Sequence, residues 1–129
     1  MPSEFVPVGV FSGKHVLAEL DGIDPHLLDD EQFLRSTLAS TLTEAGATVC
    51  DVIAHRFEPQ GVTVLAMLSE SHASVHTYPE IGAVFVDVFT CGDRADPQEA
   101  VRLLADALGT RSMNMSTLQR GRLPVNAGK

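Results

Sequence analysis

Residues 68–80 read Leu-Ser-Glu-Ser-His-Ala-Ser-Val-His-Thr-Tyr-Pro-Glu, which sets three serines, two histidines and two glutamates into one short stretch between apolar runs. Composition alone does not predict such a cluster in a chain that is 44% hydrophobic. A serine oxygen can act as nucleophile and then as leaving group, provided a base such as histidine takes its proton. His72 and His76, four apart, share one face of a strand. A metal would need a third ligand, and the nearest acids stand in a turn, so no metal is expected. Taken singly, each residue also has a plain structural reading: Ser71 as a strand or turn serine, His76 as a satisfied structural histidine, Glu80 as a turn acid, Phe57 as core. Cys91 before Gly92 reads alone as inert packing, and Cys50, with no motif around it, as core.

Strands and turns must hold this cluster. Residues 15–20 alternate and predict a strand. Asp24-Pro25 predicts the start of a helix, with Asp as N-cap, Phe33, Leu34, Leu38 and Leu42 as its buried stripe, and Gly46 as its stop. Residues 47–57 and 62–69 predict strands, the second apolar at nearly every position and so expected to be buried on both faces. Residues 72–77 and 83–90 predict two more, separated by the turn Pro79-Glu80-Ile81-Gly82. Asp96-Pro97-Gln98-Glu99 predicts a second helix, capped by Asp and ended by Gly109, with Val101, Leu104, Ala105 and Leu108 as its apolar face. Residues 111–118 predict a last strand, and 120–129 a loose tail. The order is β-α-β-β followed by β-β-α-β, which predicts an α+β fold: a two-layer α/β sandwich of two similar halves on a largely antiparallel sheet.

A length of 129 residues bounds the chain to one domain. Nine Lys and Arg against seventeen Asp and Glu give a net charge of −8, which argues against non-specific binding to nucleic acid or anionic membrane. The charge is uneven: residues 1–70 carry all of the −8, and residues 71–129 balance to zero. No apolar run approaches the roughly 18–20 residues of a membrane span. Met1-Pro2-Ser3-Glu4-Phe5 has neither a basic start nor a signal-peptide core. A cytoplasmic location is expected, with both cysteines reduced.

The cluster is part of a longer ordered set. Ser69-Glu70-Ser71-His72, His76 and Tyr78-Pro79-Glu80 lead on to Asp87-Val88-Phe89-Thr90-Cys91-Gly92. Upstream stand Gly13-Lys14-His15 and His55-Arg56-Phe57-Glu58-Pro59-Gln60-Gly61-Val62. Together these resemble the prokaryotic-type S-adenosylmethionine decarboxylase proenzymes, a pyruvoyl-dependent family, over residues 13–110.

The resemblance implies that the chain makes its own cofactor. The Ser71 hydroxyl attacks the Glu70 carbonyl, the amide becomes an ester, and elimination and hydrolysis leave a pyruvoyl group at position 71. The products are residues 1–70 and residues 71–129. The ketone then forms a Schiff base with the substrate amine and accepts the electrons left by CO2. By the same resemblance His76 is the processing base and Cys91 the proton donor. Phe57, Tyr78 and Glu80 are implied at the substrate, an aromatic face for adenine and a carboxylate for the ribose hydroxyls. On an extended strand His76 is too far from Ser71 for direct contact, so the strand must bend or the Ser71 end must fold back. The implied partners are S-adenosylmethionine and a second copy of the cleaved chain, and the implied role is to supply the aminopropyl donor for spermidine and other polyamines.

Several positions depart from the family pattern. Thr63 stands where serine is frequent and keeps a hydroxyl for processing; Val64 replaces a common glycine, Ser74 a threonine, and Tyr78 a Trp or Phe. Glu58 adds a carboxylate where an apolar residue is usual, which would favour a cationic substrate group. Glu58, Val64 and Tyr78 motivate an alternative, a pyruvoyl-dependent arginine or ornithine decarboxylase. Thr63 and Val64 motivate another, an uncleaved regulatory homologue.

Overall fold

A computed structural model describes residues 5–122. Among them the chain runs β1 (Ser12–Asp21), α1 (Pro25–Leu28), α2 (Glu31–Glu44), β2 (Val49–Arg56), β3 (Val62–Leu68), β4 (Ser71–Tyr78), a 3-10 turn at Pro79–Ile81, β5 (Ala83–Cys91), α3 (Pro97–Leu108) and β6 (Ser112–Gly121). The strands form one sheet in the order β2-β3-β4-β5-β1-β6, and every neighbouring pair is antiparallel. The two halves interlock, because β1 leaves its own half to lie between β5 and β6. The expected α+β two-layer sandwich is the one observed.

Both long helices lie on one face. α2 packs on β2, β3 and α3, while α3 packs on β1 and β5. Beneath them Val16, Leu20, Val64, Val75, Val84 and Val88 from the sheet meet Leu34, Leu38, Leu42, Val101, Leu104 and Leu108 from the helices in one buried cluster. Each such side chain contributes about 1.5–3 kcal/mol by leaving water. Asp30 caps α2 through the Phe33 N–H, and Asp96 caps α3 through the Glu99 N–H.

Four expectations need correction. The helix predicted to open at Asp24-Pro25 is two: α1 ends at Leu28, and α2 starts anew on the Asp30 cap. Asp29 lies between them, and its carboxylate accepts from the Gly61 N–H and pairs with Arg56 at 2.8 Å, so that stretch serves the β2–β3 turn. β3 is not buried on both faces of this chain; Leu65 and Met67 remain 45% and 61% exposed because the helices cover the other side. Cys50 is exposed rather than core, at a register shift on the edge strand β2. The last strand also reaches Gly121, past the predicted end, and residues 123–129 of the predicted tail lie outside the described residues. Among the described residues no helix is long and apolar enough to cross a membrane.

Thr77 fastens α1 to the sheet. Its buried hydroxyl accepts from the Val62 N–H at 2.9 Å and donates to the Leu28 carbonyl at 2.6 Å. Thr77→Val keeps the shape but strands both backbone groups. The expected cost is about 1–3 kcal/mol in urea unfolding with an unchanged m value; a loss within error would show that those groups find other partners.

Candidate active site

β3 and β4 are joined by a two-residue turn, Ser69-Glu70, with Leu68 and Ser71 paired at its base. Such turns need positive φ, which glycine or asparagine normally supplies. Here Glu70 adopts it, at φ +61°, an unfavourable state for a residue with a side chain. Ser71 follows as the first residue of β4. Its Oγ accepts from the Cys91 N–H at 3.2 Å, and the Cys91 thiol donates to the Glu70 carbonyl oxygen at 3.4 Å. The serine oxygen, the preceding carbonyl and the thiol therefore converge. They line a cavity of about 280 Å³ with Val10, Thr48 and Arg94. The approach of β1 to β5 here requires Gly13, because a Cβ would collide with the Thr90 carbonyl. Thr90 also lines the cavity. Its Oγ1 is the one buried side-chain polar atom among the described residues with no hydrogen-bond partner, a state that costs about 1–3 kcal/mol.

The other predicted site residues gather at the opposite end of the same strands. Thr63 and His76 are direct register partners, and Thr63 Oγ1 meets His76 Nδ1 at 3.1 Å. Phe57 is 48% exposed, so it is not a core aromatic, and its ring contacts His55 at 4.5 Å. Tyr78 packs on Phe85 at 4.9 Å, and Glu80 sits exposed in the 3-10 turn. Five strand residues at about 3.3 Å each separate Ser71 from His76 by about 16 Å. The expected bend or fold-back does not occur: β4 keeps unbroken register with both β3 and β5. Glu58, the extra carboxylate, is occupied by Arg56 at 2.8 Å.

Between the two ends, the face of the sheet away from the helices carries a cluster that the sequence did not reveal. Asp87 of β5 accepts from His15 at 2.7 Å, from His72 at 2.9 Å and from the Ser74 hydroxyl. Ligand atoms of His15, His72 and Asp87 lie within 4.8 Å of one another, so His72 meets two further candidate ligands, from β1 and β5, rather than His76 and a turn acid. The arrangement is nevertheless set for protons. Arg120 faces His15 Nδ1 at 3.2 Å, and a guanidinium only donates. His15 must then carry its hydrogen on Nε2, the atom a metal would need. Register alone brings these residues together, and a lone aspartate in an apolar strand was the one signal available for it.

Burial acts to raise the pKa of Asp87, but the hydrogen bonds from Ser74, His15 and His72 outweigh it and hold the carboxyl below its usual value. With the folded pKa below the unfolded one, ionised Asp87 adds stability at neutral pH. That contribution is lost as pH falls through the usual carboxylate range toward the folded value. Asp87→Asn should therefore flatten the acid limb of Tm against pH; an acid limb as steep as that of the wild type would show that the network contributes no stability.

The family model for S-adenosylmethionine decarboxylase matches residues 14–121. An S-adenosylmethionine decarboxylase proenzyme of Prochlorococcus marinus (strain MIT 9313) is 51% identical over 108 residues, covering 84% of this chain and 86% of the relative. One from Clostridium tetani is 38% identical over 109 residues, covering 84% and 86%. The crystal structure of the adenosylmethionine decarboxylase of Aquifex aeolicus VF5 superposes with a TM-score of 0.82 at 29% identity, covering 94% of this chain and all of that one. With its motifs held in this geometry, the chain belongs to the S-adenosylmethionine decarboxylase family.

Proposed function

We propose that this chain is a proenzyme that cuts itself between Glu70 and Ser71 and, once cut, decarboxylates S-adenosylmethionine. The observation that carries the reading is the meeting of Ser71 Oγ, the Glu70 carbonyl and the Cys91 thiol at one strained turn. Addition of Ser71 Oγ to the Glu70 carbonyl converts the amide to an ester. β-Elimination then releases Glu70 as a new C-terminal carboxylate and leaves dehydroalanine at position 71, whose imine tautomer is hydrolysed by water, with loss of ammonia, to a pyruvoyl group. That group supplies an electrophilic carbonyl for the substrate amine and a sink for the electrons freed with CO2. Cys91, held at this spot by the last residues of β5, returns a proton to the substrate carbon. Its role needs a free thiol, and both cysteines are free, in keeping with a cytoplasmic enzyme. The amino-acid decarboxylase alternative is not favoured, since its main motive, Glu58, is already paired with Arg56.

The working site takes two copies of the chain. His76 with Thr63, and Phe57 with Tyr78 and Glu80, lie too far from Ser71 to act on it within one protomer. The uncovered sheet face carries Ile53, Leu65, Met67, Phe85 and Leu118, each 43–62% exposed, and a solitary two-layer sandwich leaves such a face in water. A second copy laid across it in two-fold symmetry brings the His76 end of one protomer to the end of the other's sheet that carries Cys91 and the Ser69-Glu70 turn, so that His76 reaches Ser71 around the start of β4 rather than across the strand. His76 then serves as processing base, and the aromatic rings and Glu80 hold adenine and ribose.

Intact-mass measurement should find two fragments, residues 1–70 and 71–129, in the wild type and one 13.8 kDa species in Ser71→Ala. Carboxyl-labelled S-adenosylmethionine should release CO2 with the cleaved protein, and a fully cleaved sample that releases none would sink the assignment. For the shared site, His76→Ala and Cys91→Ala chains should each be inactive alone. Co-produced, they should regain up to about half of wild-type activity per mixed dimer, with only the His76→Ala chain cleaved at a restored site. No regain would mean that each site lies within one protomer.

A further inference from the structure

Thr90 is the hydroxyl that cleavage has yet to use. Continuing the β4–β5 register one step beyond His72 and Phe89 sets Ser71 opposite Thr90. Alternation puts both on the helix side, Ser71 in line with Ala73 and Val75, and Thr90 in line with Val84, Val86 and Val88. Cross-strand neighbours of this kind have Cβ atoms about 4.5–5.5 Å apart. The row of valines marks position 90 as one where valine would pack equally well. Threonine adds only a hydroxyl, and that hydroxyl is sealed from solvent and unpartnered at 3% residue exposure.

The chemistry next to it lacks a strong donor. As Ser71 Oγ bonds to the Glu70 carbonyl carbon, the carbonyl π electrons move onto oxygen. Collapse then breaks the C–N bond, and the serine's proton ends on the Ser71 nitrogen, now an amine. The charged oxygen faces the Cys91 thiol, a weak donor, while the Cys91 N–H is occupied by Ser71 Oγ. We propose that Thr90 Oγ1 is kept unpaired in the uncut chain so that it can donate a hydrogen bond to the Glu70 oxygen as that oxygen gains charge. The assignment rests on cleavage at Glu70–Ser71. Donors fixed in advance cost no reorganisation when charge appears, and loss of one typically slows an acyl transfer by about 10²–10³-fold.

The test follows intact mass with time after cell-free synthesis of the full chain. Thr90→Val should cleave at least about tenfold more slowly than wild type, and Thr90→Ser, which keeps the hydroxyl, should come within a few-fold of it. In the uncleavable Ser71→Ala chain, Thr90→Val should leave Tm unchanged or raise it, because an orphan group has been removed. Wild-type cleavage rates in Thr90→Val would overturn the inference. So would equal slowing in Thr90→Ser, or a Tm drop of several degrees in the Ser71→Ala background, which would mean the hydroxyl is already bonded. If the wild type itself stays whole, the cleavage reading falls and this inference with it; if only Thr90→Val matches the wild type, the cleavage reading stands without Thr90.

Discussion

Side chains alternate across a strand, and only one face of this sheet has helices to bury it. That constraint divides the residues into two populations. On the helix side, valine and leucine with a few alanines and threonines fill the positions from Val16 to Val88 and close the core. On the other side the same strands carry His15, Thr63, His72, Ser74, His76 and Asp87 beside exposed apolar residues. A parallel sheet with helices on both faces would have no room for such a row. The antiparallel two-layer plan frees one whole face for polar chemistry and for contact with another molecule.

β4 shows how economical the plan is. Its odd-numbered members Ala73, Val75 and Thr77 hold the core, while its even-numbered members meet Asp87 and Thr63. Its first residue is the serine at the cavity, and its last turns into the 3-10 segment that presents Glu80. One eight-residue strand thus links the proposed cleavage turn to the proposed nucleoside contacts. The rigidity that makes this a good ruler also keeps its two ends from meeting.

Much of this was legible in the residues. Alternation located the strands, Asp-Pro and Gly marked both helix regions, and the ordered motifs identified the family. The split between α1 and α2 was not legible, because nothing marks Asp29 as a break in a helix begun at Asp24-Pro25 until Gly61 and Arg56 are seen to claim it. Burial of β3 was overstated because an all-apolar strand is consistent with any cover, helix or second sheet. The Asp87 cluster depends on which strands become neighbours: His15 and Asp87 are 72 positions apart and meet only because β1 inserts beside β5. The distance problem between Ser71 and His76 was visible as arithmetic. Its answer depended on β4 staying straight, which its neighbours decide.

The turn at Ser69-Glu70 also governs what would follow from opening the backbone there, as the proposed cleavage does. In the intact chain it is a two-residue connection between paired strands, among the least costly loops to close in entropy. A break at that point leaves β3 and β4 side by side, held by their ladder and by the core beneath, so the fold persists while its shortest covalent link is gone. Refolding from the unfolded state then becomes an encounter between two separate polypeptides and depends on their concentration. The protein would assemble once as a single chain and afterwards endure by slow unfolding rather than by reversible equilibrium, a native state kept by kinetics that its own fragments could not readily rebuild in dilute solution.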